Sequence, residues 1–130
     1  MPNLLVIDDD IDLLETLSAF LAKKGHTVIQ ACGGSEGCKM LDENSIDVIL
    51  TDIVMADGDG IETIVKIRKS GNSVPIIAMS GGGRMKSDVY LGVAIHIGAD
   101  ITLNKPFEFQ ELVSAIEILC EPGNIRSIGS

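Results

Sequence analysis

Acidic side chains standing close behind apolar runs are the residues of this sequence best suited to chemistry. Asp8, Asp9 and Asp10 follow the run 4–7, Asp52 comes one threonine after the run 48–50, Ser80 follows 76–79, and Asn104, Lys105 and Pro106 follow 101–103. A charge emerging directly from a buried segment is costly unless it is partnered, so Asp8, Asp9 and Asp52 read as functional groups. Brought together, three carboxylates repel one another and at least one pKa rises, unless a hard divalent cation is shared between them. Mg²⁺ suits such a set, since it takes an octahedral shell of oxygens, typically from one or two carboxylates, waters and a phosphate. A carboxylate in that setting can attack a phosphoryl group in line and form a mixed anhydride, whose equatorial oxygens then need stabilisation. Lys105 offers a point charge for one oxygen, the Ser80 hydroxyl a hydrogen bond for another, and the cation neutralises a third.

These groups meet only if the intervening segments bring the ends of the apolar runs to one edge. The runs 4–7, 27–31, 48–50, 76–79 and, more weakly, 101–103 are of strand length and rich in β-branched residues. Between the first two, Leu13, Leu14, Leu17, Phe20 and Leu21 share one helical face that Gly25 closes. Further helices are expected to start near Ser35, Gly60, Ser87 and Glu108. The one from Gly60 carries Ile61, Ile64, Val65 and Arg68 at helical intervals up to Gly71, and the last carries Leu112, Val113, Ile116 and Leu119. Alternation of helices with near-continuous apolar strands predicts an α/β fold of three layers, a parallel sheet covered on both faces. Ligands of such sheets bind beyond the carboxyl ends of the strands, where every polar group named above falls.

A chain of 130 residues fits one domain with a core of its own. Hydrophobic residues make up 45% of it, but no apolar run approaches the ~20 residues that cross a bilayer, so no membrane association is expected. The amino terminus has no basic segment and its apolar run ends in aspartates, unlike a signal peptide, which points to the cytoplasm. Cys32, Cys38 and Cys120 form no C-x-x-C pair and read as reduced thiols. A net charge of −9 disfavours direct binding of this chain to DNA or RNA and repels anionic phosphodonors from a site without a cation.

Plainer roles suit the other polar residues. Asp10 or Asp12 reads as a helix N-cap, and Asp57 and Asp59 as residues shaping a glycine-rich turn. His26 and His96 fall away from the acidic edge and read as no ligands. The Asp8-Asp9-Asp10 run also fits the nucleophile loop of a haloacid-dehalogenase-like phosphohydrolase, with Asp8 as nucleophile, but that reading leaves no room for a cap domain and no task for Asp52. A flavin-binding electron carrier of similar topology would need hydroxyls and N–H donors after the first strand, where aspartates repel phosphate.

From about Leu4 to Leu119 the sequence resembles the bacterial response-regulator receiver family, which includes the chemotaxis receivers. Its acidic pair matches Asp8 and Asp9, its phosphoacceptor Asp52, its conserved hydroxyl Ser80 and its conserved lysine Lys105. Gly25, Val28, Ala31, Gly34 and Glu36, Met55 with Asp59-Gly60, and Gly98-Ala99-Asp100 with Lys105-Pro106-Phe107 match further segments. The resemblance implies a flavodoxin-like, doubly wound five-stranded parallel sheet of order 2-1-3-4-5, with the receiver over 1–121 and a tail or linker over 122–130. It implies Mg²⁺, or Mn²⁺ in its place, on Asp9, Asp52 and the backbone carbonyl of Val54, with Asp8 acting partly through water. A sensor histidine kinase or histidine phosphotransfer protein would donate the phosphoryl group, and a downstream effector protein or domain would respond. Catalysis would be confined to the chain's own phosphorylation and dephosphorylation, in a monomer or weak homodimer. The resemblance also implies a cis Lys105-Pro106 bond.

Two positions depart from the family pattern. Ala56 replaces the usual proline, and Thr102 occupies the place of an aromatic switch residue, so output is expected to run through a smaller movement around Gly81-Gly82-Gly83. The initial methionine favours a stand-alone receiver over part of a longer regulator.

Overall fold

Among the described residues, the alternating pattern folds as five strands and five helical segments. A computed structural model describes residues 2–55, 60–80 and 92–120. Along the chain lie β1 (Asn3–Ile7), α1 (Ile11–Lys23), β2 (Thr27–Ala31), α2 (Gly34–Glu43), β3 (Val48–Asp52), α3 (Gly60–Lys69), β4 (Ile76–Ser80), α4 (helical over residues 92–97), β5 (Ile101–Asn104) and α5 (Phe109–Cys120). All strand pairs are parallel, and the sheet order is β2-β1-β3-β4-β5, as the resemblance implied. The helix expected to start near Ser87, the residues Ala56, Asp57 and Asp59, the glycines 81–83 and the tail 122–130 fall outside the described residues. Among the described residues no helix is long and apolar enough to cross a membrane.

Successive strand side chains point to opposite faces, so each apolar run feeds both layers of the core. Leu4, Val6, Leu50, Ile77 and Met79 pack against Leu14, Leu17 and Leu21 of α1 and Leu112, Ile116 and Leu119 of α5. Leu5, Ile7, Ile49, Ile76 and Ala78 face the other way, toward Ile64 and Ile67 of α3 and Ala94 of α4. β3 and β4 are buried along their whole length, which is why their sequences show no alternation. β2 and β5 close the two edges of the sheet and are partly exposed.

Helix ends carry the expected signals. The Asp10 side chain caps α1 by accepting from the Leu13 N–H at 3.2 Å. Gly25, past the end of α1, has φ 99°, a left-handed conformation that glycine adopts without strain. Ladder pairing carries three strands past their apolar runs, so that Asp52, Ser80 and Asn104 are strand residues. Asp52 is paired with Met79 and Ser80 with Asn104, so their backbones are held by the sheet rather than by loops.

Gly60, the first residue of α3, lies against the end of β3. Its N–H donates to the Ile53 carbonyl at 2.9 Å. A Cβ at this position would fall 2.7 Å from Ile53 Cα and collide with the Asp52 carbonyl oxygen. Gly60→Ala is therefore expected to destabilise the fold by about 1–3 kcal/mol, read as a lowered midpoint in urea unfolding with an unchanged slope.

Candidate functional site

Each functional side chain is held by an extension of the sheet. The Asp8 N–H donates to the Ala31 carbonyl at 3.1 Å, one residue beyond the β1–β2 pairing, and so fixes the backbone from which Asp8 projects. The Asp8 side chain is wholly buried, and both of its oxygens are engaged. Oδ1 accepts the Asp10 N–H at 3.0 Å and Oδ2 accepts from Lys105 Nζ at 2.8 Å. On β3, Asp52 is 7% exposed; its Oδ1 receives a long bond of 3.4 Å from the Val54 N–H, and its Oδ2 lies 3.4 Å from Lys105 Nζ. The Thr51 hydroxyl donates to the Asp52 carbonyl at 2.9 Å. Lys105 is positioned in turn by its N–H, which donates to the Ser80 carbonyl at 2.8 Å and carries the β4–β5 ladder one residue further. The Lys105-Pro106 bond is cis, as expected.

Oxygens from Asp8, Asp9 and Asp52 all lie within 4.8 Å of one another, with Asp9 exposed and the other two buried. The sheet thus gathers Asp8, Asp9, Asp52 and Lys105 from three strand ends, with buried Ser80 at the carboxyl end of the adjoining strand β4. Val54 is 51% exposed just past this cluster. Asp10 serves as the α1 cap. His26 stands before β2, at the opposite end of the sheet, and His96 is exposed on α4. The direct pairing of Lys105 with Asp8 was not legible in the sequence, because nothing in the spacing says which carboxylate a lysine far along the chain will meet. The steric need for Gly60 was not legible either: the sequence marked it as a helix start and, with Asp59, as a family match, but not as a close approach to β3.

Burial pushes the Asp52 carboxyl up from 3.8 to about 6, with a smaller push from the Asp8 charge; Lys105 and the Val54 N–H pull the other way without cancelling it. The donors are all carboxylate oxygens, one set exposed and two buried, which fits a hard divalent ion that keeps part of its water shell. Both Asp8 oxygens carry short bonds, at 3.0 and 2.8 Å, whereas the contacts to the Asp52 oxygens are long, at 3.4 Å each.

Comparison with known proteins shows the family and the fold. The family profile of the response regulator receiver domain matches residues 4–117. The chain is 38% identical over 119 residues to the transcriptional regulatory protein CpxR homolog of Haemophilus influenzae, covering 92% of this chain and 50% of that protein. It is 35% identical over 118 residues to the transcriptional regulatory protein PrrA of Mycobacterium tuberculosis, covering 91% and 49%. The chain therefore spans about half the length of these curated relatives. Among solved structures, a Francisella response regulator receiver domain superposes with a TM-score of 0.81 at 28% identity over 92% of this chain and 96% of that one. The Thermotoga maritima response regulator TrrA, solved in complex with Mg²⁺ and BeF, superposes with a TM-score of 0.78 at 28% identity, over 92% and 99%.

Because folding raises the Asp52 pKa, ionised Asp52 costs stability. That cost is absent below pH 3.8, grows between 3.8 and about 6, and is fully present above 6. In chelator-treated protein, Asp52→Asn is expected to raise the melting temperature by a few degrees at pH 7, with the gain fading as the pH is lowered through this window. Thermal melts from pH 4 to 8 check both the sign and the window.

Proposed function

Since this chain belongs to the response regulator receiver family of two-component signal transduction, we propose that Asp52 is its phosphoacceptor, served by Asp8, Asp9, Ser80 and Lys105. The observation that carries the proposal is the joint geometry of Asp52: buried at the end of β3, within reach of a lysine, and grouped with two further carboxylates. Receivers of this family work with histidine kinases and effector domains and bind Mg²⁺ at an acidic pocket. A phosphohistidine of a kinase or phosphotransfer protein is the donor for this chain. An Asp52 oxygen attacks phosphorus, the P–N bond breaks, and the imidazole leaves with its electron pair.

Asp9 and Asp52, with the Val54 carbonyl, would hold the cation, and Asp8 acts partly through water because Lys105 and the Asp10 N–H already occupy its oxygens. When bound, Mg²⁺ neutralises the crowded carboxylates and the charge on the transferring phosphoryl oxygens. Lys105 already lies within 3.4 Å of an Asp52 oxygen, so a short movement takes its ammonium from the carboxylates to a phosphoryl oxygen. Ser80, buried on the neighbouring strand, donates its hydroxyl to a second. Attack of water on phosphorus then breaks the bond to Asp52, releases inorganic phosphate and restores the carboxylate. The chain catalyses these two steps on itself and no other turnover, and its modified form differs in affinity for an effector.

Incubation with acetyl phosphate and Mg²⁺ followed by intact-mass measurement is expected to add one phosphoryl group to the wild type and none to Asp52→Asn, and Mn²⁺ is expected to replace Mg²⁺. Labelling of Asp52→Asn would instead favour a hydrolase-like nucleophile at Asp8. Mg²⁺ is also expected to raise the wild-type melting temperature in a concentration-dependent way, as any ligand that binds only the folded state does. Asp9→Asn should weaken that response at least tenfold in the Mg²⁺ concentration required.

A further inference from the structure

A network around Arg68 lies at the edge of the sheet opposite Asp52 and has no part in the chemistry above. Arg68 stands in the last turn of α3. Its Nε and Nη2 both donate to the Gly98 carbonyl, at 3.1 and 2.9 Å, and its Nη1 donates to the Asn72 carbonyl at 2.9 Å. Nη2 also meets Asp100 Oδ2 at 3.3 Å, an ion pair whose side chains are only 20% and 16% exposed. Asp100 is tied to the first residue of β4: its Oδ2 accepts the Ile76 N–H at 2.9 Å, and its own N–H donates to the Ile76 carbonyl at 2.8 Å. A single guanidinium thus joins the ends of α3 and α4 to the starts of β4 and β5. Its planar fork holds several acceptors in fixed directions, which an ammonium does not.

Gly98 is shaped for this contact. With φ 128° it ends α4 in a conformation that favours glycine, its N–H donating to Ile95 at 3.2 Å while the Ala99 N–H donates to Ala94 at 2.9 Å. A Cβ on Gly98 would fall 2.8 Å from Arg68 Cγ, so the passage of the arginine stem asks for glycine as well. A cation at a helix carboxyl terminus is further favoured by the aligned peptide dipoles. Along the sequence, Ser80 at the site edge lies on the amino-terminal side of α4, and Gly98 on its carboxyl-terminal side. The span of β4 separates the two edges by roughly 13–17 Å.

We propose that Arg68 is a positioning residue that makes Gly98 the fulcrum of α4. Phosphorylation of Asp52, felt at Ser80, displaces residues 92–94 of α4, while its carboxyl end stays bound to α3 and to the starts of β4 and β5. The inference rests on the phosphoacceptor reading of Asp52. A pinned end turns a small displacement at the site edge into a rotation of the helix, whereas an unpinned helix would answer with a diffuse shift.

Amide ¹H–¹⁵N spectra of the full chain test it, recorded in Mg²⁺ with and without beryllofluoride, a tetrahedral mimic of a carboxyl-bound phosphoryl group. In the wild type, beryllofluoride is expected to move the amides of residues 92–94 and to leave those of Gly98, Ala99 and Asp100, and the Arg68 Nε–H signal, in place. In Arg68→Met, hydrogen exchange at Gly98 and Ala99 should quicken on the order of tenfold, and beryllofluoride should now move residues 98–100 as well. Arg68→Lys should fall between the two. A wild type in which residues 98–100 move as far as 92–94 overturns the fulcrum alone, and does so even if Arg68→Met fails to fold. An Arg68→Met profile identical to that of the wild type overturns it equally. Absence of any wild-type response around Asp52 would overturn the phosphoacceptor reading, and the fulcrum with it.

Discussion

Crowding of like charge at the end of a buried sheet is the constraint on which this molecule turns. Asp8 and Asp52 leave the core at adjacent strand ends, and the sheet gives them no freedom to separate. Lys105 answers the repulsion only in part: it pairs closely with Asp8 and at longer range with Asp52, which remains hard to ionise. A site left in that condition has a standing affinity for positive charge and for protons. The cation binding and covalent modification proposed for it, and the raised pKa of Asp52, are three expressions of one imbalance.

Precision at this site comes from backbone pairing. The Asp8 and Lys105 N–H groups each add one bond to a parallel ladder beyond the last regular strand residue, and Asp52 and Ser80 are ladder residues themselves. Loop ends alone would let these side chains wander, and transfer to a carboxylate demands in-line placement. The tight approach of Gly60 to the Asp52 carbonyl adds a steric boundary on the side of α3. At the far edge of the sheet, Arg68 fixes the carbonyl of Gly98, just past α4, with two hydrogen bonds.

The chain belongs to the response regulator receiver family, and the curated transcriptional regulatory proteins it resembles are about twice as long as the stretch matched here. The net charge of −9 works against contact with the phosphate backbone of nucleic acid. Thr102 on β5, paired with Ala78 of β4, supplies no ring with which to couple the site to its surroundings. A helix held at one end offers another route by which a local change can become a change of surface.

Much of this was legible without coordinates because the signals were local. Five apolar runs of strand length, helical spacing between them, Asp10 before α1 and Gly25 after it are short-range patterns, and within the described residues they became the elements they implied. The carboxylates and Lys105 were legible as site residues because the strand ends of a parallel α/β sheet share one edge, whatever lies between them in sequence. Tertiary structure alone decided which charges touch. The pairing of Lys105 with Asp8, the incomplete compensation of Asp52, the intolerance of a side chain at Gly60 and the convergence of Arg68 with Gly98 and Asp100 join residues from 8 to 97 positions apart. Periodicity carries no information about such pairs, since their distances follow from how helices and strands stack, and a carboxylate's charge state follows from the burial that stacking produces.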